Sequence, residues 1–302
     1  MDKNYAFNKL KNIVGDQNCF KDICLGDYTT FKIGGPADIF VTPDTYEGVA
    51  EVVRFAKKNE IPFFYLGNGS NVLVKDNGYR GIIINFSKLN KISLDGNYII
   101  AQSGAQLKDV SSFALENSLT GLEFACGIPG TVGGASAMNA GAYDGETKNV
   151  IDNILMVNGN DEIRRVYVDE IGFGYRKSIL LQENYAALEV CYKLKPGIYE
   201  NIKKRIDQLT MWRTEKQPLE YPSAGSTFKR PEGYFTGKLI QDAGLKGFSL
   251  GGAQVSPKHA GFVINSNKAT AQEVIDLIAY IKMSIMEKYN VELSPEVRII
   301  GE

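Results

Sequence analysis

A glycine-rich stretch between residues 127 and 143 constrains the fold of this chain more than any other feature. It runs from Gly127 through Ala135 and continues through Met138–Tyr143, with almost no charged side chains. Glycine loses more conformational freedom on folding than other residues, so a cluster of glycines marks backbone that bends tightly or approaches another group closely. The stretch therefore predicts an ordered loop, outside the hydrophobic core, whose N–H groups hold a flat anionic ligand such as a dinucleotide. A flexible surface linker is the alternative.

Composition excludes several classes of protein. The 302 residues suffice for two domains, and the formal net charge of −1 argues against nonspecific binding of nucleic acid. The four cysteines form no CxxC pair and the chain has one histidine, so we predict neither a metal site nor a disulfide framework. No apolar run is long enough for a membrane span, and the first residues lack a signal pattern. We therefore expect a cytoplasmic protein without membrane insertion.

Helical and extended patterns are mixed along the chain without a strict βαβ repeat, which favours an α+β fold. Asp44 as the cap, with Glu47 three residues later, predicts the start of one helix, and Thr270 with Glu273 predicts another that reaches about Tyr289. Further helices are expected at 106–117 and ending near Lys216. The predicted strands cover 62–66, 72–74, 81–86, 98–101, 151–157, 163–168, 187–194 and 297–300.

The turn from Gly67 to Asn71 is superficially similar to the glycine fingerprint of nicotinamide-binding Rossmann folds. That fingerprint requires a strand, the turn and then a helix. Here the turn is followed by the β-branched, apolar run Val72–Val74, which predicts strand–turn–strand. The turn is therefore either a backbone nest for phosphate, with Ser70 and Asn71 as additional donors, or an ordinary hairpin turn.

Three small-residue segments occur in order: Thr30–Pro36, Gly67–Asn71 and Gly127–Ala135. In this order the chain resembles the vanillyl-alcohol-oxidase and p-cresol-methylhydroxylase (PCMH) type of flavoprotein. More narrowly, it resembles the UDP-N-acetylenolpyruvoylglucosamine reductase (MurB) family of peptidoglycan synthesis over about residues 29–301. The resemblance implies an FAD-binding domain of the PCMH type at 1–196 and a C-terminal α+β substrate-binding domain at 197–302. In an alternative organisation, the final strand returns to the N-terminal part.

The resemblance also implies a catalytic set. Its members are Arg176, Ser226 and Glu296, within the segments 174–176, 222–229 and 293–298. In the implied reaction, hydride passes from NADPH to FAD and then to the β-carbon of an enolpyruvyl ether, which becomes a lactyl ether. Arg176 would grip the substrate carboxylate, Ser226 would donate the proton, and Glu296 would assist. Taken singly, the three have simpler interpretations: a surface cation, a turn cap and a solvated carboxylate.

Ligand contacts follow from the same resemblance. The implied cofactor contacts are Ile33, Gly34, Gly67, Asn68, Gly69, Ser70, Asn71, Gly127, Ile128, Pro129, Gly130, Gly133 and Gly134. The implied contacts for the nucleotide-sugar substrate are Tyr175, Lys216, Lys229, Arg230 and Arg298. Many relatives have an asparagine where this chain has Arg230, so that amide contact does not carry over, although an arginine can meet phosphate directly.

The family has two structural types, one of which carries an extra loop that closes over the substrate. Between Arg176 and Pro196 this chain leaves no room for such an insertion, so it resembles the loop-lacking type. Residues 251–262 are a candidate for closure instead. The single histidine, His259, lies there as either a structural or a substrate-facing residue. The resemblance further suggests a monomer that uses one pocket in turn for NADPH and substrate.

Two other kinds of function remain open at this point. One is an oxidase of the same flavin fold, in which FAD is often tethered covalently; His259 lies outside the flavin loops, and Cys126 beside Gly127 is more typical of a small buried thiol. The other is a flavin- or nucleotide-binding module without catalysis. Such a module has no need of Arg176, Ser226 and Glu296 together.

Overall fold

The computed structural model describes residues 2–302. The helices are α1 (Lys3–Val14), α2 (Tyr46–Lys58), α3 (Leu107–Glu116), α4 (Val132–Ala137), α5 (Ile179–Gln182), α6 (Tyr199–Lys216), α7 (Thr236–Asp242) and α8 (Ala271–Tyr289). The strands of the first half are β1 (Cys19–Cys24), β2 (Pro36–Val41), β3 (Phe63–Leu66), β4 (Val72–Val74), β5 (Tyr79–Asn85), β6 (Ile92–Asp95), β7 (Tyr98–Gln102) and β8 (Leu119–Thr120). The remaining strands are β9 (Gly141–Ala142), β10 (Gly145–Glu146), β11 (Ile151–Val157), β12 (Ile163–Tyr167), β13 (Ala186–Lys193), β14 (Lys195–Pro196), β15 (Ser249–Leu250), β16 (Ala253–Val255), β17 (Val263–Asn265) and β18 (Arg298–Ile300).

The chain forms two compact units that are interleaved in sequence. The first contains residues 1–21, 39–68 and 81–213, and the second contains 22–38, 69–80 and 214–302. Each unit is thus built from segments distant in sequence, and residues 197–213 lie in the first. The single boundary predicted at residue 196 stays a prediction about domains.

The first unit is organised around two sheets. A four-stranded sheet has the order β1-β2-β5-β3, in which β3 and β5 are parallel. A five-stranded sheet has the order β12-β11-β13-β7-β6 and its pairs are antiparallel. The apolar stripe of α2, Val49, Val52, Val53 and Ala56, is buried in one core, as its helical spacing predicts. Residues of α3 and α4 are buried in the other core with Ile99 and Tyr192 of the larger sheet.

The second unit has a core of its own, around α8. The helix contributes Val274, Leu277, Ile278, Ile281 and Ile285 to that core, at the spacing of one helix face. The sheet β15-β16-β17 packs beside it through buried alanine and valine side chains. The predicted final strand lies here as β18, which pairs in parallel with β4.

Most predicted elements are confirmed to within one or two residues, including the capping box of Thr270 and Glu273 at α8. The cap predicted at Asp44 is wrong by one residue. Thr45 is the N-cap of α2 and its Oγ1 accepts from the N–H of Gly48 at 3.0 Å, because Thr45 has the extended backbone that a cap requires. Asp44 instead accepts from the Asn18 amide at 3.4 Å.

The expectation that residues 127–143 form a loop outside the core is also wrong in part. Residues 132–137 form α4, with Thr131 as its N-cap, and Val132 and Ala135 are buried in the core. The glycines here serve close packing as well as turning. A Cβ on Gly133 would collide with Ser103 Oγ, so the missing side chain lets α4 lie directly against the end of β7.

The N-terminus of α8 is held by Asp76 in addition to its capping box. The Asp76 carboxylate accepts from the N–H of Ala271 at 2.8 Å and of Gln272 at 3.0 Å. We expect Asp76→Ala to lower the free energy of unfolding by about 1 kcal/mol, since two helix-terminal N–H groups lose their acceptor. Urea unfolding measures this.

The matched control for that experiment is Asp276→Ala on the same helix. Asp276 is exposed and accepts from the Gln272 side chain at 2.7 Å, so its loss is expected to cost less than about 0.5 kcal/mol. Equal destabilisation by the two substitutions would contradict the role of Asp76 as a cap.

Candidate cofactor and active site

In the first unit, the turn at Gly67 and Asn68 lies against the glycine-rich segment that follows residue 127. The Asn68 amide donates to the carbonyl of Pro129 at 2.6 Å. A Cβ on Gly67 would collide with Oγ1 of Thr131, and the carbonyl of Gly67 accepts from Asn85 at 3.2 Å. The backbone of Gly67 thus lies directly against the Thr131 side chain, at a distance that a residue with a Cβ would not permit, and the Asn68 side chain joins the two predicted cofactor segments.

The glycine-rich segment is itself fixed by backbone hydrogen bonds. The carbonyl of Gly130 accepts from Leu107 N–H at 2.9 Å, and the N–H of Gly133 donates to the carbonyl of Ser103 at 2.9 Å. Gly134, one residue later, is exposed, and the nearest atom to a Cβ there would be Thr131 Oγ1 at 3.5 Å. Of the predicted contacts in this segment, Gly134 and the exposed Pro129 face outward, and Gly133 faces the core.

Arg213 of α6 is a cation that the sequence analysis did not select. A Cβ on Gly127 would lie 2.6 Å from Arg213 Cδ, so the arginine side chain runs along the glycine turn. Burial lowers the pKa of its guanidinium from the ordinary value. Within residues 2–302 no carboxylate forms an ion pair with it. The one sequence feature that could have selected Arg213 is its position three residues before Lys216, a predicted substrate contact.

In the second unit, the turn at Gly69–Asn71 packs against residues 28–30. Gly69 has a φ of +62° and its carbonyl accepts from Thr30 N–H at 3.3 Å. A Cβ on Gly69 would collide with the carbonyl of Tyr28. Here the positive φ and the close approach both require glycine. Ser70 lies between Gly69 and Asn71 and is half-buried.

Asn71 connects this turn to the segment that carries Glu296. Its amide donates to the carbonyl of Glu296 at 3.1 Å, and its own carbonyl accepts from Arg298 N–H at 3.0 Å. The pairing of β4 with β18 continues the contact through Val72. A residue predicted for the cofactor and two predicted for the substrate reaction therefore lie side by side.

Ser226 lies next to the same segment. The carbonyl of Thr227 accepts from Glu296 N–H at 2.8 Å, and the N–H of Lys229 donates to Ser294 at 2.9 Å. Ser226 is exposed, whereas Thr227 beside it is buried. The fold thus brings the predicted proton donor and the predicted assisting carboxylate to neighbouring positions of two extended segments.

The residues before Ser226 form a fixed turn. Thr30 Oγ1 donates to the carbonyl of Ser223 at 2.7 Å, and Ala224 is buried. Gly225 has a φ of +74°, and a Cβ there would meet nothing within 4 Å, so its backbone conformation is the reason for glycine. Ile33 lies in the core of this unit, 4% exposed, and Gly34 has a φ of +146°. The side chain of Ile33 is used in packing, and its carbonyl accepts from Thr29 Oγ1 at 3.2 Å.

Arg176 lies in the first unit, in a tight turn. The N–H of Gly174 donates to the carbonyl of Lys177 at 3.0 Å, and the N–H of Lys177 donates back at 3.2 Å. Arg176 has a φ of +53°, at the third position of the turn, where glycine or asparagine is usual. Its guanidinium lies 5.1 Å from the ring centroid of Tyr175, which is exposed. A strained arginine at a turn is typical of a functional position.

The predicted substrate cations of the second unit are all at the surface. Lys216 is at the end of α6, and Lys229 and Arg230 follow Phe228; all three are exposed, as is Arg298. Arg230 donates to the carbonyl of Tyr234 at 3.1 Å, and its guanidinium lies 4.0 Å from the centroid of the Phe235 ring. Lys229 and Arg230 closely follow Ser226 in the chain, and Arg298 closely follows Glu296.

His259 has a structural environment. Its Nδ1 accepts from Gly261 N–H at 3.0 Å, and its ring packs edge-on against Phe262 with centroids 5.1 Å apart. Burial lowers the pKa of the imidazole, which keeps it neutral with the proton on Nε2. Closure by residues 251–262 stays a prediction.

Residues 2–302 contain neither a cluster of metal ligands nor a helix suited to span a membrane. No group of three or more histidine, cysteine, aspartate or glutamate side chains there is arranged to hold a metal ion. Within the same residues, none of the helices combines the length and apolar character that a membrane crossing needs. 

The backbone strain at Arg176 can be measured with two substitutions that both remove the guanidinium. We expect Arg176→Gly to be more stable than Arg176→Ala by about 1 kcal/mol, because the left-handed conformation costs alanine more than it costs glycine. Urea unfolding of the two variants checks this. Equal stability would show that the positive φ at this position carries no strain.

Comparison with known proteins gives two matching family models. Residues 37–167 match the FAD binding domain model, and residues 217–300 match the C-terminal domain of UDP-N-acetylenolpyruvoylglucosamine reductase. Curated proteins of that name are similar over nearly the whole chain. The protein from Clostridium novyi is 53% identical, covering 97% of this chain and 96% of its own, and that from Geobacillus thermodenitrificans is 52% identical, covering 99% and 98%.

Solved structures agree with these matches. The crystal structure of UDP-N-acetylenolpyruvylglucosamine reductase (MurB) from Thermus caldophilus matches with a TM-score of 0.81 at 33% identity, covering 93% of this chain and 98% of that one. The glucose dehydrogenase Phl p 4.0202 matches with a TM-score of 0.52 at 13% identity, over 71% of this chain and 51% of that one, which concerns the fold alone. The fold is α+β, an FAD-binding domain of the vanillyl-alcohol-oxidase/PCMH type with a MurB C-terminal domain, as predicted. The chain therefore belongs to the UDP-N-acetylenolpyruvoylglucosamine reductase family.

Proposed function

We propose that this protein is an NADPH-dependent flavoenzyme that reduces the enolpyruvyl ether of UDP-N-acetylglucosamine enolpyruvate to the lactyl ether of UDP-N-acetylmuramate, in peptidoglycan precursor synthesis. The observation that carries the proposal is the 53% identity to reductases of that name over nearly the full length of both chains. Arg176, Ser226 and Glu296 lie in the three sequence segments that carry the resemblance to that family. An oxidase of the same fold and a non-catalytic binding module are not favoured.

The residues of the two glycine-rich turns fit FAD. Backbone N–H groups without side chains beside them suit a pyrophosphate, and Gly134 is exposed, with no atom closer to a Cβ there than Thr131 Oγ1 at 3.5 Å. The Arg213 guanidinium along Gly127 adds a positive charge without a carboxylate partner within residues 2–302. We propose that the predicted contacts of 33–34, 67–71, 127–130 and 133–134 hold the cofactor.

Bound FAD supplies hydride, taken from NADPH, to the β-carbon of the enol ether. Addition at that carbon moves negative charge toward the substrate carboxylate, so a fixed cation beside it lowers the barrier. We propose that Arg176 is that cation, because a guanidinium stays charged and binds a carboxylate through two parallel hydrogen bonds. The tight turn that holds Arg176 reduces the number of positions its backbone can adopt.

The α-carbon then needs a proton, and we propose Ser226 as its donor. A serine hydroxyl is a weak acid, so its effect depends on position rather than on intrinsic acidity. Thr227 and Glu296 are joined by a backbone hydrogen bond, which holds Glu296 beside the residue that follows the serine, and we propose its carboxyl as an orienting group. Because two hydrogens and two electrons are added in all, hydride and this proton complete the reduction.

Lys216, Lys229, Arg230 and Arg298 are proposed to meet the diphosphate of the nucleotide sugar, with Tyr175 as a further contact. Support comes from their exposure, which leaves the charges accessible to a polyanion. We also propose a cytoplasmic monomer, since the proposed substrate is a soluble nucleotide sugar and the described helices include none suited to cross a membrane. Sedimentation of the flavin-loaded protein tests the monomeric state.

The decisive experiment separates the two half-reactions. We expect Ser226→Ala to leave reduction of the flavin by NADPH within about twofold of wild type, and to slow its reoxidation by the enolpyruvyl nucleotide about 10²- to 10⁴-fold, since a positioned proton donor acts in the second step alone. Anaerobic stopped-flow absorbance measures both rates. Equal slowing of the two half-reactions would contradict the assignment of Ser226.

Two controls accompany that experiment. Ser249→Ala removes an exposed hydroxyl from β15 of the same unit and is expected to change neither rate. The second is wild type: if the enolpyruvyl nucleotide does not reoxidise its NADPH-reduced flavin, the proposed reaction itself is wrong.

Neighbouring glycines of α4 test the cofactor site. We expect Gly133→Ala to destabilise the protein by about 3 kcal/mol, because its methyl group would overlap Ser103 Oγ. Gly134→Ala has room within the protein and is expected to keep the free energy of unfolding within about 1 kcal/mol. It should nevertheless weaken FAD binding about tenfold or more, equivalent to about 1.4 kcal/mol, by blocking approach to the backbone.

FAD titration of the apoprotein, followed by flavin fluorescence, gives the affinity for both glycine variants. An unchanged FAD affinity in a folded Gly134→Ala variant would remove Gly134 from the cofactor site. Folding is checked by circular dichroism before the titration.

A further inference from the structure

Asn139 is a buried amide two residues beyond the end of α4. It is 1% exposed and has a φ of +43°, a conformation in which asparagine is tolerated better than most residues. It lies within the glycine-rich stretch, five positions after Gly134, where the predicted cofactor contacts end.

The amide of Asn139 uses both its donor and its acceptor ends. Nδ2 donates to the carbonyl of Gly174 at 3.1 Å and to the Glu146 carboxylate at 2.8 Å. Oδ1 accepts from the N–H of Lys148 at 2.9 Å. Glu146 is itself paired with the Lys148 ammonium at 2.7 Å, so the amide is held from two directions. A buried amide with this set of partners has one orientation.

One of those partners is the first residue of the turn that carries Arg176. The carbonyl of Gly174 accepts from Lys177 N–H at 3.2 Å in addition to the Asn139 amide. Both lone pairs of this oxygen are therefore in use. The other end of the turn is tied to the same region, since Ser178 Oγ donates to the carbonyl of Ala137 at 2.6 Å.

These two ties matter because the turn is strained. The φ of +53° at Arg176 is a conformation that a free chain would leave. Strained backbone persists where the surrounding structure fixes it, and here Asn139 and Ser178 fix the residues before and after. The backbone from which the Arg176 side chain extends is thus tied to an amide that follows α4.

We infer that Asn139 is a positioning residue for Arg176, acting through the carbonyl of Gly174. The inference rests on the proposed role of Arg176 toward the substrate carboxylate. Since a displacement of about 1 Å at a reacting group can cost about 10²-fold in rate, loss of the tether is expected to slow the step that uses Arg176 by about 10- to 100-fold. Reduction of the flavin by NADPH does not require the substrate carboxylate and is expected to stay within about twofold.

Asn139→Gly is the informative substitution, because glycine retains the positive φ while losing the amide. Asn290→Gly is its matched control: Asn290 also has a left-handed φ, of +52°, at the C-terminus of α8, and is exposed. Both half-reactions are measured by anaerobic stopped flow in the flavin-loaded enzyme. Each variant is then combined with Arg176→Ala.

If Asn139 acts through Arg176, Asn139→Gly slows reoxidation by the enolpyruvyl nucleotide 10- to 100-fold in the wild-type background and less than about twofold in the Arg176→Ala background. Asn290→Gly slows neither half-reaction. An equal effect of Asn139→Gly in both backgrounds, or equal slowing of both half-reactions, would overturn the inference.

Hydrogen exchange of the peptide spanning residues 171–178 gives a readout independent of activity. We expect its exchange to be about fivefold faster in Asn139→Gly, since one hydrogen bond to the turn is lost, and unchanged in Asn290→Gly. Unchanged exchange in Asn139→Gly would overturn the tether itself. If the flavin of Arg176→Ala is reoxidised by the enolpyruvyl nucleotide as fast as that of wild type, the proposed role of Arg176 is wrong, and the positioning role of Asn139 is wrong with it. Faster hydrogen exchange of residues 171–178 in Asn139→Gly would still show that Asn139 holds the turn.

Discussion

The close packing of α4 against Ser103 is the constraint on which the first unit depends. Because Gly133 has no side chain, the helix lies on the end of β7 and joins the core that the five-stranded sheet forms with α3. The two ends of this short helix make different contacts. Before its first residue, Gly130 and Thr131 contact residues 107 and 67; at its C-terminal end, Ala137 and Asn139 are hydrogen-bonded to the turn of Arg176.

This arrangement gives α4 a physical link to both parts of the proposed chemistry. The glycines before and within the helix are proposed to contact the cofactor, and the amide after it is bonded to the turn of Arg176, the cation proposed for the substrate carboxylate. Asn139 is six positions after Gly133, so a shift of the helix would move both. The stiffness of the packed core is what makes such a shift costly.

In the second unit, extended backbone segments bring residues that are distant in sequence next to each other. Ser226 and Glu296 are seventy residues apart in sequence, yet a backbone hydrogen bond from Glu296 to Thr227 makes them neighbours. The Asn71 side-chain amide also donates to the carbonyl of Glu296, and Thr30 Oγ1 donates to the carbonyl of Ser223. A weakly acidic hydroxyl gains from this because its effect depends on position.

Patterns among residues close together in the sequence were sufficient to predict individual helices. The capping box at Thr270 and the apolar stripe of α2 predicted helices that the structure contains, because caps and helix faces are set by residues three or four apart. The position of the cap at Asp44 was missed by one residue, since Asp and Thr are both good caps and backbone conformation chose between them. The residues of the glycine turns and of the three motifs, with their resemblance to a family, were sufficient to predict the fold type and the reaction.

Only tertiary structure decided that part of the glycine-rich stretch is a buried helix, that Arg213 lies along Gly127, and that Asn139 is bonded to Gly174. These features arise from contacts between residues distant along the chain, whose geometry depends on how whole elements pack and leaves no periodic trace in the sequence.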